Sequence, residues 1–244
     1  MRLLGVCAVA TAAISVFLAG PAGASELRVE PILLELNAPA AAGILTVRND
    51  EDAVVAVQTR VFRWSQSNGR ESLDPTTDVV ASPPIVRLAP HTDYTVRIVR
   101  ALKQAVGGEE SYRLFIDQLP TGQRLGERSV AILVRQSIPV FFRSAQISKA
   151  TLSWSLSYEH DGVVITAKNL GDEHLRVADL RLRDGAGTSI GFGHGLVGYV
   201  LGRSSMSFTV RRPPPGFGAG GALVLTAATN NGPIHATVPL ETQR

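Results

Sequence analysis

Cysteine is all but absent: the 244 residues contain one, Cys7. It lies inside an apolar leader, so a chain that has lost that leader has no thiol and forms no disulfide. Lysine is scarce too, confined to Lys103, Lys149 and Lys168. The remaining basic side chains are arginines, which suit bidentate pairing with carboxylates, although a GC-rich genome produces the same bias. Net charge is only +3, too little to imply nucleic acid as a partner. Beyond the leader no apolar run reaches the roughly 20 residues of a spanning helix, so no integral membrane segment is expected in the mature chain. No stretch carries a convincing helical period either, and helix is expected to be minor.

Motifs for catalysis are missing as well. The histidines at 91, 160, 174, 194 and 235 show no metal-type spacing, and neither Gly-x-Ser-x-Gly, a phosphate loop nor His-Glu-x-x-His occurs. Gly193-His-Gly-Leu-Val-Gly198 matches the dinucleotide fingerprint only formally, without the βαβ context it needs. Acids at 161, 172, 173, 179 and 184 fall at turns or strand margins, where solvated carboxylates are normal. The chain is therefore expected not to be an enzyme and to need no metal or other cofactor.

What is present begins with a leader. Arg2, the apolar run Leu3 to Leu18 and the small-residue site Ala22-Gly23-Ala24 are expected to form a signal peptide over residues 1–24, with cleavage after Ala24 and export of the mature chain. Downstream, alternating apolar residues recur about every ten positions between turn signals, the pattern of an all-β sandwich protein. Leu27 to Leu36 is interrupted by Pro31, which makes it an edge or sheet-switching strand. Val54 to Trp64 places Val55, Val57, Thr59 and Val61 on one face, and Tyr94, Val96 and Ile98 alternate with Thr95, Arg97 and Val99. Further strands are predicted at Ile44–Arg48, Ile85–Leu88 and Ser111–Gln118. The run Ser129 to Arg143 completes a seven-strand count, as in an immunoglobulin-like sandwich.

That last run is far longer than a usual strand of about 5 to 6 residues, so part of it is free for a task beyond closing its own sheet. A second β-rich half follows, with strands predicted at Leu152–Glu159, Val163–Asn169, Leu175–Arg183 and Leu223–Thr229, and short runs at Tyr199–Leu201 and Phe208–Val210. Two domains result, 25–143 and 144–244, joined near Arg143 to Gln146, with no clear repeat between them. Aromatic and basic residues interleave in Phe62-Arg-Trp64 and Phe141-Phe-Arg143, which period-2 burial explains more cheaply than nucleic-acid or carbohydrate binding.

Several of these segments resemble one family, the periplasmic pilus-assembly chaperones of the chaperone/usher pathway, in particular its archaic branch. The resemblance spans nearly all the mature chain. It is carried by Arg60-Val-Phe-Arg-Trp-Ser-Gln66, Val79-Val-Ala-Ser-Pro-Pro-Ile-Val-Arg-Leu-Ala-Pro90, Tyr94-Thr-Val-Arg-Ile-Val-Arg100, Tyr112-Arg-Leu-Phe-Ile-Asp-Gln-Leu-Pro120 and Arg135-Gln-Ser-Ile-Pro-Val-Phe-Phe142. Val164-Ile-Thr-Ala-Lys-Asn169 and Gly198-Tyr-Val-Leu201 are similar in the second half. The resemblance implies two immunoglobulin-like β-sandwich domains in a boomerang arrangement. It also implies pilus subunits and an outer-membrane usher as partners, and donation of a strand to an unfinished subunit.

Carried onto this sequence, the donor residues are Val130, Ile132 and Val134, with Ala131 and Leu133 facing the other way. The basic pair that anchors a subunit's C-terminal carboxylate in the family falls at Pro31 and Pro139, so Arg97 and Arg87 are expected to substitute, with Arg100 and Arg135 behind them. Arg143 matches the arginine of the family's interdomain network. Its acidic partners are expected to be replaced by amides, Gln118 and Asn230 or Asn231. Two other readings remain: an exported carbohydrate- or adhesin-type binding module, marked by converging exposed aromatics in the second domain, and a metal-dependent enzyme, marked by clustered histidines.

Overall fold

The computed structural model describes residues 27–120, 132–159, 162–218 and 221–238. Every regular element among them is a strand, and none of the described residues forms a helix long and apolar enough to cross a membrane. In chain order the first half contains β1 (Leu27–Glu30), β2 (Leu34–Asn37), β3 (Ala42–Asn49), β4 (Val55–Ser67) and β5 (Arg70–Pro75). It continues with β6 (Val79–Ser82), β7 (Ile85–Leu88), β8 (Thr92–Arg100), β9 (Glu109–Leu119) and β10 (Arg135–Arg143). The second half contains β11 (Leu152–Glu159), β12 (Gly162–Asn169), β13 (Leu175–Arg183) and β14 (Ser189–Gly191). Then come β15 (Leu196–Val200), β16 (Ser205–Arg211), β17 (Leu223–Thr229) and β18 (Ile234–Val238).

Each half is a sandwich of two sheets. In the first, β1-β3-β8-β6 faces β2-β10-β9-β4-β5, to which β7 adds beside β4. In the second, β11-β12-β16 faces β14-β13-β17-β18, with β15 also paired to β13. Pro31 acts as a switch: before it the chain pairs antiparallel with β3 in one sheet, and after it β2 runs parallel to β10 in the other. A residue without an N–H cannot continue a ladder, so the strand stops there.

Period-2 alternation sorts the side chains. Val55 and Val57 of β4, Val96 and Ile98 of β8, Tyr112, Leu114 and Ile116 of β9, and Ile138, Val140 and Phe142 of β10 fill one core. The second half has its own, built around Leu156, Ile165, Val177, Leu180, Leu182 and Leu225. Burying each such side chain contributes roughly 1.5–3 kcal/mol. A third, smaller cluster of Trp64, Phe141, Tyr199 and Leu201 lies between the halves.

An identical device closes a strand in each sandwich. At the end of β3, buried Asn49 donates through Nδ2 to Ala53 O (2.8 Å), Leu88 O (3.2 Å) and Ala89 O (3.0 Å), while its Oδ1 accepts from Glu51 N (3.0 Å). At the end of β12, buried Asn169 donates to Glu173 O (2.7 Å), Val200 O (3.4 Å) and Leu201 O (3.2 Å), and accepts from Gly171 N (3.0 Å). Thr46-Val-Arg-Asn49 and Thr166-Ala-Lys-Asn169 therefore occupy equivalent places, an internal correspondence that the sequence alone does not display.

The strand expected from Ser129 to Arg143 is regular from Arg135 onward. Val130 and Ala131 lie outside the described residues, as does the leader. The segment Gly193–Gly198 bends into strand β15, so the βαβ context of a dinucleotide site is not formed there.

Candidate functional site

The two sandwiches meet across the outer face of the first half's larger sheet. Because Tyr112, Leu114 and Ile116 point inward, Arg113, Phe115 and Asp117 point outward, toward the side on which the second half sits. Register places Phe62 beside Arg113 and Arg113 beside Pro139. It places Arg60 beside Phe115, and Asp117 beside Arg135. The Phe62 and Phe115 rings tilt together at 5.4 Å, with the guanidinium of Arg60 5.7 Å from Phe62 and that of Arg135 5.1 Å from Phe115. Asp117 accepts from Arg60 Nε (3.1 Å) and Nη2 (2.5 Å) and from Arg135 Nε. Burial alone would raise the Asp117 carboxyl, but the hydrogen bonds from Arg135 and Arg60 outweigh it and hold the group below the ordinary carboxylate range.

Arg113 differs from its neighbours. Its guanidinium lies 3.7 Å from the Trp64 ring centre and 5.3 Å from that of Tyr199, which belongs to the second half. It makes no ion pair or hydrogen bond among the described residues. Burial pushes its pKa down, offset in part by the charge of Glu71, which itself accepts from Trp64 Nε1 at 3.0 Å. A half-buried guanidinium with open donors is a prepared seat for an anion.

At one end of this face lies the junction. Arg143 donates to Glu109 Oε2 (2.9 Å), pairs with Glu35, and approaches Glu173 Oε1 at 3.3 Å. Glu109, its side chain 1% exposed, also accepts from the main-chain N–H of His174 (2.9 Å) and meets that ring's Nδ1 at 3.0 Å. The His174 ring stacks flat on Phe141, centroids 3.6 Å apart. Glu109→Ala takes away the most buried of the three carboxylates around Arg143 and leaves the His174 N–H without its acceptor, while Glu35 and Glu173 stay in place. It should therefore lower stability by about 1–3 kcal/mol in thermal or denaturant unfolding. A loss below about 1 kcal/mol would mean that water already screens the pair.

This junction corrects the expectation of an amide network. The partners of Arg143 are acids, from β2, β9 and the turn before β13. Gln118 stands at the opposite end of β9 from Glu109, about 30 Å away at strand spacing, with its Oε1 3.4 Å from Val134 N. Asn230 accepts from Arg176 N (2.9 Å), and Asn230 and Asn231 line the crevice beside Arg143 without binding it. Sequence missed the acids because their burial is supplied by the other half, and the pattern along a strand reports only its own sheet.

The four arginines proposed as anchors scatter. Arg97 sits opposite Ile44 on β8, in the sheet whose outer face points away from the second half. Arg87 pairs with Ala56 and shares the face of Arg113, but six residues along β4, about 20 Å from it. Arg100 is buried and committed: it donates to both Glu110 oxygens (2.7 and 2.8 Å) and to Leu102 O (2.8 Å) and Gln104 O (2.7 Å). Arg135 is held by Asp117. Of these, Arg97 and Arg100 cannot reach the crevice between the halves. The signal for Arg113 was available, since it is the charged member of Tyr112-Arg-Leu-Phe-Ile and lies level with Pro139.

The approach to β10 is the second element of the site. On one side β10 pairs with β9 along its whole length, but on the other β2 covers only Val140 to Arg143. Among the described residues the outer edge from Arg135 to Pro139 has no partner strand. Just before it, Ile132 is 79% and Leu133 47% exposed. Alternation puts Ile132 and Val134 on the side of Ile138 and Val140, and Leu133 on the side of Arg135.

The second half also clamps the β4–β5 hairpin. Gln66 Nε2 donates to Tyr199 O and its Oε1 accepts from Leu201 N, both at 2.9 Å. At the hairpin tip, Gly69 O accepts from Ser207 N at 3.0 Å. Gly69 has φ +75°, and a Cβ there would fall 2.1 Å from Ser207 Oγ, so only glycine fits.

A family model described as "Pili and flagellar-assembly chaperone, PapD N-terminal domain" matches residues 26–148. No curated protein sequence matches the chain. Among solved structures, a chain of the CsuC–CsuE chaperone–tip adhesion subunit pre-assembly complex from archaic chaperone-usher Csu pili of Acinetobacter baumannii is similar, with TM-score 0.68, 20% identity, and 88% of this chain and 99% of that one covered. So is a chain of the Salmonella enterica SafA pilin–SafB chaperone complex, with TM-score 0.62, 16% identity, and coverage of 88% and 98%. The E. coli chaperone DraB aligns with TM-score 0.56, 19% identity, and coverage of 86% and 97%.

Proposed function

Since the chain belongs to the family of pili and flagellar-assembly chaperones, we propose that it is a periplasmic chaperone of this kind. In this reading it holds pilus subunits between its two sandwiches, completes each by donor-strand complementation, and passes it to an outer-membrane usher. The observation that carries the reading is the edge of β10 from Arg135 to Pro139, which has no partner strand among the described residues and is continuous with the exposed Ile132 and Leu133. An open edge flanked by bare apolar side chains is an aggregation hazard that proteins normally cover. It is also what strand addition requires: main-chain donors and acceptors for the ladder, and alternate side chains for the partner's groove.

Arg113 is the anchor for the subunit's C-terminal carboxylate in this account. Its guanidinium has no hydrogen-bond or ion-pair partner among the described residues, and it lies on the sheet face toward the second half, level with Pro139, where the family places a basic residue. The alternative of an exported carbohydrate- or adhesin-type module gains nothing from the second half. There Trp154, Tyr199, Phe208 and Phe217 are buried instead of converging at the surface.

Co-expression with pilus subunits in a Gram-negative periplasm tests the proposal. A one-to-one complex should elute as a single species, with the chaperone beginning at Ser25 by intact mass. Subunits that accumulate and stay soluble equally well without the chaperone would overturn it.

A further inference from the structure

We infer that the carboxylate anchor is shared between the two domains: Tyr199 flanks Arg113, and Gln66 holds Tyr199 in place, so both are positioning residues for capture of the subunit's C-terminus. The inference rests on Arg113 acting as the anchor.

The floor and the side wall come from different halves of the chain. Trp64 on β4 supplies the face on which the guanidinium lies, at 3.7 Å. Tyr199 on β15 stands beside it, 5.3 Å from the guanidinium and edge-on to Trp64 at 5.4 Å, so it walls the flank of the cation and not the face opposite Trp64. A cation that lies on one ring and is flanked by a second keeps its plane fixed while part of its N–H edge stays free. It also loses water, so each remaining hydrogen bond to an anion is stronger. Without Tyr199 the flank of the same arginine would be open to water, which weakens an ion pair made there.

Tyr199 is placed through its main chain. The Gln66 amide bonds to Tyr199 O and Leu201 N, the O(i) and N(i+2) pair that a neighbouring strand would engage. One buried side chain of the first domain thus stands in for a strand against the second. Asn169 takes Val200 O and Leu201 O, so the end of β15 is held from both domains. By linkage, if docking of the second domain strengthens carboxylate binding, a bound carboxylate tightens that docking by the same factor.

The test uses the full mature chain and a synthetic peptide of a subunit's last ten residues, as free acid and as C-terminal amide. Hydrogen bonds to charged groups make the wild type prefer the acid by about tenfold or more. Tyr199→Phe should keep that preference. Gln66→Leu and Tyr199→Leu should reduce it to less than about threefold while leaving amide affinity unchanged. If both leucine variants keep the full preference, Arg113 works alone and the shared anchor is wrong. An absence of preference in the wild type would instead remove the carboxylate anchor itself. A second measurement needs no variant: hydrogen exchange at the Leu201 amide should slow several-fold with the acid peptide and not with the amide. Equal exchange with both overturns the coupling.

Discussion

Ile132→Asp is expected to fold as well as the wild type and to carry no pilus subunit. Ile132 is 79% exposed, so its own domain loses almost no buried surface when it is replaced. In the donated strand the same position would enter an apolar groove. There the isoleucine contributes roughly 1.5–3 kcal/mol, and an ionised carboxylate meets no partner. The combined penalty is large enough to abolish recovery of the complex. Leu133→Asp sets the register, because alternation sends Ile132 and Leu133 to opposite sides. If Leu133→Asp destroys binding and Ile132→Asp does not, the donated row is the odd-numbered one. If both variants bind normally, this segment is not the donor strand.

The second large effect is expected at Arg113. Charge-assisted hydrogen bonds are worth about 1.5–3 kcal/mol each, so Arg113→Ala should weaken subunit binding by roughly ten- to a hundredfold or more. Folding should hardly suffer, since burial already disfavours this charge and no carboxylate is left behind. Arg113→Lys should recover little, because an ammonium cannot lie flat on Trp64 with a forked edge outward. Arg97→Ala, on the sheet facing away, is expected to change nothing. A binding loss with Arg97→Ala and none with Arg113→Ala, measured by co-purification and by titration calorimetry, would move the anchor to the other sheet.

The contrast between these two arginines shows what the sequence could and could not reveal. Alternation separates inside from outside, which is why β11, β13 and β17 were legible to the residue, and why Val55, Val57 and Thr59 were correctly assigned to one buried face. It does not say which of two sheets faces the neighbouring domain. Arg97 and Arg113 look alike along their strands and differ only in that three-dimensional fact. Strand β5 was missed because all six of its residues are exposed and carry no alternation to read. Strand β14, three residues long, was missed for want of length. Of the acids around Arg143, Glu173 had the appearance of a solvated turn residue, and nothing along the chain singled out Glu35 or Glu109, because the groups that meet them come from far away in sequence.

The buried asparagines at 49 and 169 mark a place in each sandwich where substitution is tightly limited. Each holds the turn after its strand through the residues two and four positions on, and ties that turn to two consecutive carbonyls from elsewhere in its sandwich. Apolar positions exchange readily among valine, isoleucine and leucine, whereas a side chain that serves three carbonyls and an amide at once has few substitutes. A leucine at either position would keep the volume and leave the turn's polar groups buried without partners, so each sandwich is pinned at that end by an amide that its core cannot replace.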